Sequence, residues 1–270
     1  MTDQSRFVER VRHELKFRVA KVVATERLTP KMARITVEAE ELSSFVSLGY
    51  DDHCKLFFAD AGGADFPVPT RGENGLVFPA GQRPQSRDYT PRFYDNAAKT
   101  LTLDFVLHGD GPASSWAQNA RPGDAIGVGG PRGSFVLRGD FDWYLLVGDE
   151  TALPAIARRL EELPRDARVI ALIEVADTDE VQTINAPAGA EIKWVSREGA
   201  EPGDPSLLLA AAQTIELPQG DGYIFIAGES AMSKAVRAYF VDECGHNPDW
   251  IKAAGYWQAG TQDFDDGHAH

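Results

Sequence analysis

Trp143-Tyr144-Leu145-Leu146-Val147-Gly148-Asp149-Glu150-Thr151-Ala152-Leu153-Pro154 separates two kinds of sequence pattern. Trp143 to Val147 is a continuous apolar run, as expected of a strand covered on both faces. Gly148 ends the run. Beyond it, Leu153, Ile156, Leu160 and Leu163 recur at helical spacing and make one apolar stripe. The alternation then repeats. Val169 to Val175 and Ile192 to Val195 read as buried strands, Leu207 to Ala212 as a helix, and Tyr223 to Ala227 as a further strand. Met232, Val236, Tyr239 and Phe240 line a last helix that stops near Gly245. Strand alternating with helix implies a parallel sheet with right-handed crossovers.

Upstream the pattern is that of β structure. Phe17 to Val23, Ala33 to Val37, Cys54 to Phe58 and Leu76 to Phe78 are β-prone. In Leu101 to Leu107 the apolar residues fall on alternate positions, the period of a strand with one buried face. Gly62-Gly63, Pro67, Pro69, Pro79-Ala80-Gly81, Pro122-Gly123 and Gly129-Gly130-Pro131 punctuate these runs. Short strands between such breakers suggest an antiparallel barrel or sandwich. The expected organisation is a β domain over 1–139 and an α/β domain over 140–270, with no internal repeat and a polar, frayed tail from Thr261 to His270.

Composition narrows the function. The 270 residues are 43% hydrophobic and 25% charged, which suits a globular protein. No apolar run reaches the length of a membrane span. The charged stretch Met1 to Lys16 has no apolar core and does not read as a secretory signal. Cys54 and Cys244 lie in unlike contexts, so structural zinc and iron–sulfur ligation are not expected, and a reducing cytoplasm is the expected compartment. A net charge of −14 argues against nucleic acid as a partner. The charge is uneven: residues 1–139 hold 18 Lys and Arg against 17 Asp and Glu, whereas residues 140–270 hold 9 against 24. Either one surface is better solvated, or anionic ligands are handled by the first half.

Two motifs in the β half carry chemistry. In Ser86-Arg87-Asp88-Tyr89-Thr90-Pro91-Arg92, an arginine suits a diphosphate. A tyrosine two residues on shares its strand face and can stack on a flat ring. Alone, the pattern is weak and more readily describes a surface arginine beside a half-buried tyrosine on an edge strand. His108-Gly109-Asp110-Gly111-Pro112-Ala113-Ser114-Ser115-Trp116 turns from the clearest strand into a short helix with Pro in its first turn, whose free N–H groups make a phosphate seat or simply an ordinary helix start. The α/β half lacks both the G-x-G-x-x-G fingerprint and the P-loop. It offers Gly148-Asp149-Glu150-Thr151 and Gly228-Glu229, two glycines at strand ends on the carboxyl edge where ligands bind in such sheets. The carboxylates there suit a helix dipole and repel phosphate.

In order and spacing these motifs resemble the ferredoxin–NADP reductase superfamily. More narrowly, the chain resembles the siderophore-interacting proteins, FAD-dependent ferric siderophore reductases. Asp52-His53-Cys54-Lys55-Leu56, Arg87 to Arg92, His108 to Trp116, Gly130-Pro131-Arg132-Gly133, Gly148 to Ala155, Ala227-Gly228-Glu229 and Gly255-Tyr256-Trp257 carry that likeness across nearly the whole chain.

The resemblance implies a six-stranded antiparallel Greek-key barrel that binds FAD, followed by a parallel-sheet α/β domain that receives NADPH or NADH. It places Arg87, Asp88, Tyr89, Thr90, His108, Gly109, Gly111, Pro112, Ala113, Ser114 and Trp116 around FAD. Gly148, Asp149, Glu150, Thr151, Gly228 and Glu229 would lie at the nucleotide. Arg197, just after a strand, would meet a 2′-phosphate. Lys55, Arg92 and Arg132 would form a basic mouth for an anionic ferric siderophore. A flavin takes two electrons from a nicotinamide and passes them on singly, so no acid, base, nucleophile or protein metal site is required. Reduction releases iron because Fe(II) binds hard oxygen ligands more weakly than Fe(III). Ferredoxin is an alternative electron donor, and a monomer is expected. Competing readings are a general flavin or ferredoxin-type reductase, a siderophore carrier with a redox-inert flavin, and an α/β nucleotide-binding protein without flavin.

Overall fold

The computed structural model of the protein describes residues 6–58, 66–72, 75–79, 83–109, 111–261 and 264. In chain order these form β1 (Phe7–Arg12), β2 (Phe17–Thr29), β3 (Met32–Glu38), β4 (Cys54–Phe58), β5 (Thr70–Gly72), β6 (Gly75–Val77), β7 (Gln85–Tyr89), β8 (Phe93–Asp95), β9 (Thr100–Val106), α1 (Pro112–Asn119), β10 (Ala125–Gly129) and β11 (Gly133–Arg138). Then follow β12 (Trp143–Gly148), α2 (Leu153–Glu162), β13 (Val169–Val175), β14 (Glu191–Ser196), α3 (Pro205–Gln213), β15 (Gly222–Glu229), α4 (Ser230–Ala238) and β16 (Ile251–Trp257). Two compact units result: residues 9–136, and residues 137–270 together with the chain start through Val8. The expected fraying at the chain end falls almost wholly outside the described residues, as does Asp110.

The first unit is built on a seven-stranded antiparallel sheet of order β7-β4-β10-β2-β3-β9-β8. The expected class holds. The count is seven rather than six because the three-residue β8 extends one edge. The sheet must curl. Its edge strands β7 and β8 are joined by Thr90-Pro91-Arg92 alone. Four Cα steps span at most about 15 Å. Seven strands laid flat would hold their edges about 29 Å apart. Inside the curl lie Leu101, Leu103 and Phe105 from alternate positions of β9, with Val22, Ile35, Leu56, Ile126 and Val128. α1 packs against β7 and β9.

The second unit holds a five-stranded parallel sheet of order β14-β13-β12-β15-β16. β12, β13 and β15 are buried throughout, which is why their sequences are unbroken apolar runs. Trp143, Leu145 and Val147 share a core with Leu208 and Ala212 of α3 and Met232 and Val236 of α4. Gly148 faces the other way, toward Ala152 and Ile156 at the start of α2. Helices therefore cover both faces. The strand order reverses between β12 and β15, so the ends of these two strands flank the crevice of a doubly wound sheet.

One glycine in this sheet is required by packing. A Cβ on Gly222 would lie 2.1 Å from the buried Trp143 ring. Gly222→Ala is expected to cost about 1–3 kcal/mol by overpacking, read as a lowered midpoint in urea. An unchanged midpoint would show that Trp143 can shift freely.

Candidate functional site

In the β unit, β7 carries the Arg-x-Tyr motif along the sheet edge, paired with β4 so that Asp88 lies opposite Lys55 and Arg87 opposite Leu56. Alternation splits the motif. Arg87 and Tyr89 are half-buried, whereas Asp88 is exposed. Asp88 accepts from Lys55 Nζ at 2.8 Å rather than sharing the face of Arg87. Tyr89 stacks on Phe105 with ring centroids 4.4 Å apart, and burial raises its hydroxyl pKa well above the ordinary value. Thr90 is buried. The Arg87 Nη1 donates to Ser86 O at 2.7 Å.

The second motif forms the mouth of α1. Gly109 sits at φ +53°, in the left-handed region that glycine tolerates. Gly111 caps α1 with no side-chain hydrogen bond, and Pro112 occupies the first turn. The Ser114 hydroxyl is engaged inside: it accepts from His108 N at 2.9 Å and from Gln118 Nε2 at 3.0 Å. Trp116 packs on Phe58 and Phe105. A Cβ added at Gly109 or Gly111 would meet nothing within 4 Å. Two glycines facing open space, an uncapped helix start and the neighbouring Arg87 strand fit a diphosphate. The flat, half-buried Tyr89 fits an aromatic ring.

Of the three cations expected to form a basic mouth, one is buried. Arg92 is 4% exposed, its Nε 3.6 Å from Asp104 Oδ2 and its guanidinium 4.1 Å from the Phe93 ring centroid. Asp104 also takes a two-pronged bond from Arg34, at 2.7 and 2.8 Å. Arg92 is thus built into the barrel wall and is withdrawn as a surface ligand. Lys55 is half-exposed beside Asp88, and Arg132 is exposed.

In the α/β unit the carboxyl edge is dominated by acids. The buried Asp149 carboxylate accepts from Thr151 N (2.8 Å), Thr151 Oγ1 (2.5 Å), Glu229 N (2.9 Å) and Trp257 Nε1 (2.8 Å). Burial, then the charge of Glu150, pushes its pKa up, against these hydrogen bonds. Glu229 caps α4, accepting from Ala231 N and Met232 N at 2.5 and 2.9 Å. The two strand-end glycines are consumed by packing rather than left open to a ligand. A Cβ on Gly148 would lie 2.6 Å from Ala227 O, and one on Gly228 (φ +139°) would lie 2.6 Å from Asp149 Oδ2. Arg197, expected at a 2′-phosphate, is held in a two-pronged bond to Glu150 (2.6 and 2.6 Å) and a third bond to Glu174 (3.0 Å). Burial opposes the Arg197 charge, but the bonds from Glu150 and then Glu174 outweigh it and raise its pKa.

Trp257, Glu174 and Asp104 carry no signal of these roles in the sequence. Trp257 stood in a quoted motif, but only the fold brings its indole to Asp149.

Residues 21–135 match the family model described as a siderophore-interacting FAD-binding domain, and residues 141–260 match that of a siderophore-interacting protein. The chain is 39% identical to the NADPH-dependent ferric-chelate reductase of Escherichia coli over 96% of its length and 100% of the relative's. The chain belongs to the siderophore-interacting protein family. Within that family it is 32% identical to the ferric vibriobactin reductase ViuB of Vibrio cholerae, covering 91% of both chains. The crystal structure of a siderophore utilization protein from T. fusca superposes with a TM-score of 0.88 at 40% identity, over 97% of this chain and 99% of that one. Barrel and parallel sheet are the fold of these siderophore-interacting proteins.

Two outcomes follow from these side chains. Arg87→Ala is expected to weaken FAD binding by about ten- to a hundredfold, the range for a hydrogen bond to a charged group. Titration of apoprotein by flavin absorbance measures this, and an unaltered curve removes Arg87 from the cradle. Burial, opposed by Arg197, lifts Glu174 to about 7. A carboxyl raised on folding is fully stabilising below its unfolded pKa and loses that stability as pH rises through the folded value. The melting temperature should therefore fall between about pH 5 and about pH 8. Glu174→Gln should flatten the fall, and an equal slope in both proteins refutes the assignment.

Proposed function

We propose that this chain is an FAD-dependent ferric siderophore reductase, taking electrons from NADPH or NADH and delivering them to siderophore-bound Fe(III), which leaves as Fe(II). The observation that supports this reading is the pair of glycines facing open space at the uncapped start of α1, a helix packed against the strand that carries Arg87 and Tyr89. Together these residues offer a cation, an aromatic face and unfilled space. FAD bound there supplies two-electron acceptance and one-electron delivery.

The chain's own residues bind and orient. Arg87 neutralises the diphosphate, and the first N–H groups of α1 complete its seat. Phe105 packs on Tyr89 and so holds the plane of the ring that would meet the flavin. Lys55 and Arg132 attract the anionic ferric complex. The iron is substrate, bound through its own chelator. The E. coli relative is named for NADPH, which supports a nicotinamide electron donor. Neither Cys54 nor Cys244 is in a disulfide, in keeping with a cytoplasmic site of action. Among the described residues no helix is long and apolar enough to cross a membrane.

Anaerobic mixing tests the reading. The purified protein should be yellow, NADPH or NADH should bleach the flavin band, and ferric siderophore should restore it. A protein that binds the ferric complex while its reduced flavin stays bleached is a carrier, and the proposal fails. Charge reversal at Lys55 or Arg132 should raise KM for an anionic siderophore by about tenfold with full flavin content. Unchanged KM in both variants would exclude the basic mouth.

A further inference from the structure

The electrostatics of the α/β edge contain a competition that bears on the choice of electron donor. Arg197 follows β14, and its backbone N–H donates to Val175 O at the end of β13, at 3.0 Å. The turn continues through Glu198 (φ +48°) and Gly199 (φ +90°) and closes with Ala200 N donating to Arg197 O at 2.9 Å. Arg197 is thereby fixed beside the carboxyl ends of β13 and β14. In doubly wound sheets the adenosine ribose lies at this edge, where an acid meets the 2′-hydroxyl or an arginine meets the 2′-phosphate.

The arginine is already engaged. Both prongs of its guanidinium go to the two oxygens of Glu150, each at 2.6 Å. A carboxylate and a phosphate use the same planar fork, so the two anions compete for one set of N–H groups. The three side chains are not equally accessible. Arg197 is 7% exposed, Glu174 4% and Glu150 17%. Glu174 holds the guanidinium from the buried side, and Glu150 covers the solvent side. Glu150 sits in the short turn between β12 and α2, whereas Glu174 lies within β13.

We propose that Glu150 sets the 2′-phosphate selectivity of the electron-donor site, by occupying the fork of Arg197 that a 2′-phosphate would take. NADPH must displace Glu150 from Arg197, and NADH need not. The native chain therefore discriminates weakly between the two dinucleotides, and loss of the Glu150 charge turns it toward NADPH. This inference rests on the reading of the α/β unit as the nicotinamide dinucleotide site.

Its test uses 2′,5′-ADP and 5′-AMP, which differ only in the 2′-phosphate. Calorimetry of the flavin-loaded full chain gives their affinity ratio. Glu150→Gln and Glu150→Ala should each raise the preference for 2′,5′-ADP about tenfold. The gain should vanish when Arg197→Gln is added to Glu150→Gln. Stopped-flow flavin reduction by NADPH and by NADH should move in the same sense. An unmoved ratio in both single variants, or a gain that survives without Arg197, overturns the inference while flavin reduction by the native protein leaves the reductase reading intact. A native protein whose flavin neither dinucleotide reduces overturns that reading and the inference together.

Discussion

The α/β unit depends on one buried carboxylate. Asp149 stands at the end of β12, where the strand order reverses, in a setting where an unpaired charge would cost several kcal/mol. It is kept by four donors from three parts of the fold: Thr151 at the entry to α2, Glu229 at the end of β15 and Trp257 at the end of β16. The demands of this group propagate. Gly228 must lack a Cβ because Asp149 Oδ2 occupies that space, and Gly203, at φ +93°, must lack one because Trp257 and Glu229 lie against it. Asp149 and Glu229 are thus committed to structure, whereas Glu150 keeps a partly exposed carboxylate on Arg197.

The β unit solves a similar problem with different groups. Asp104 gathers Arg34 and Arg92 at the wall of the sheet. Asp52, just before β4, accepts from the hydroxyls of Ser47 and Ser134 and from Gly49 N. The single hydroxyl proton of Ser134 goes to Asp52, so the 2.7 Å contact with His13 Nε2 must have the ring donating. This network fixes the start of β4, and so Lys55, relative to the turn before β11 that carries Arg132. A buried carboxylate, Asp52, thus sets the positions of two surface cations that it does not itself touch.

Legibility in the sequence followed the range of the forces involved. β4 and β13 were readable to the residue because their burial shows as local composition. β1 was not, because Phe7-Val8-Glu9-Arg10-Val11-Arg12 forms a two-stranded ribbon with β11 and buries too little to impose a pattern. β16 was missed because Ala253, Ala254 and Gly255 have weak strand preference, and their place is imposed by β15 alongside. In the candidate site, the helix start at Gly111 and the strand of Arg87 and Tyr89 were legible as residue types. The fates of Arg92, Asp88 and Arg197 were not, since each is decided by a carboxylate or amine far along the chain: Glu150 is 47 residues from Arg197. At Gly148-Asp149-Glu150 the sequence shows the acids, but it cannot show that one of them is buried and another lies on an arginine.

The chain start has a consequence for how such a protein can be taken apart. Arg6 bonds Asp140 O and Asp221 Oδ2 at 2.5 and 2.6 Å and lies over the rings of Phe141 and Trp250. The first described residues therefore belong with the last half of the polypeptide, and the barrel is an insertion between them. A single recombination point near residue 139 would graft a new α/β half onto the wrong N-terminal segment. Clean exchange of either module requires two crossovers, one on each side of the barrel.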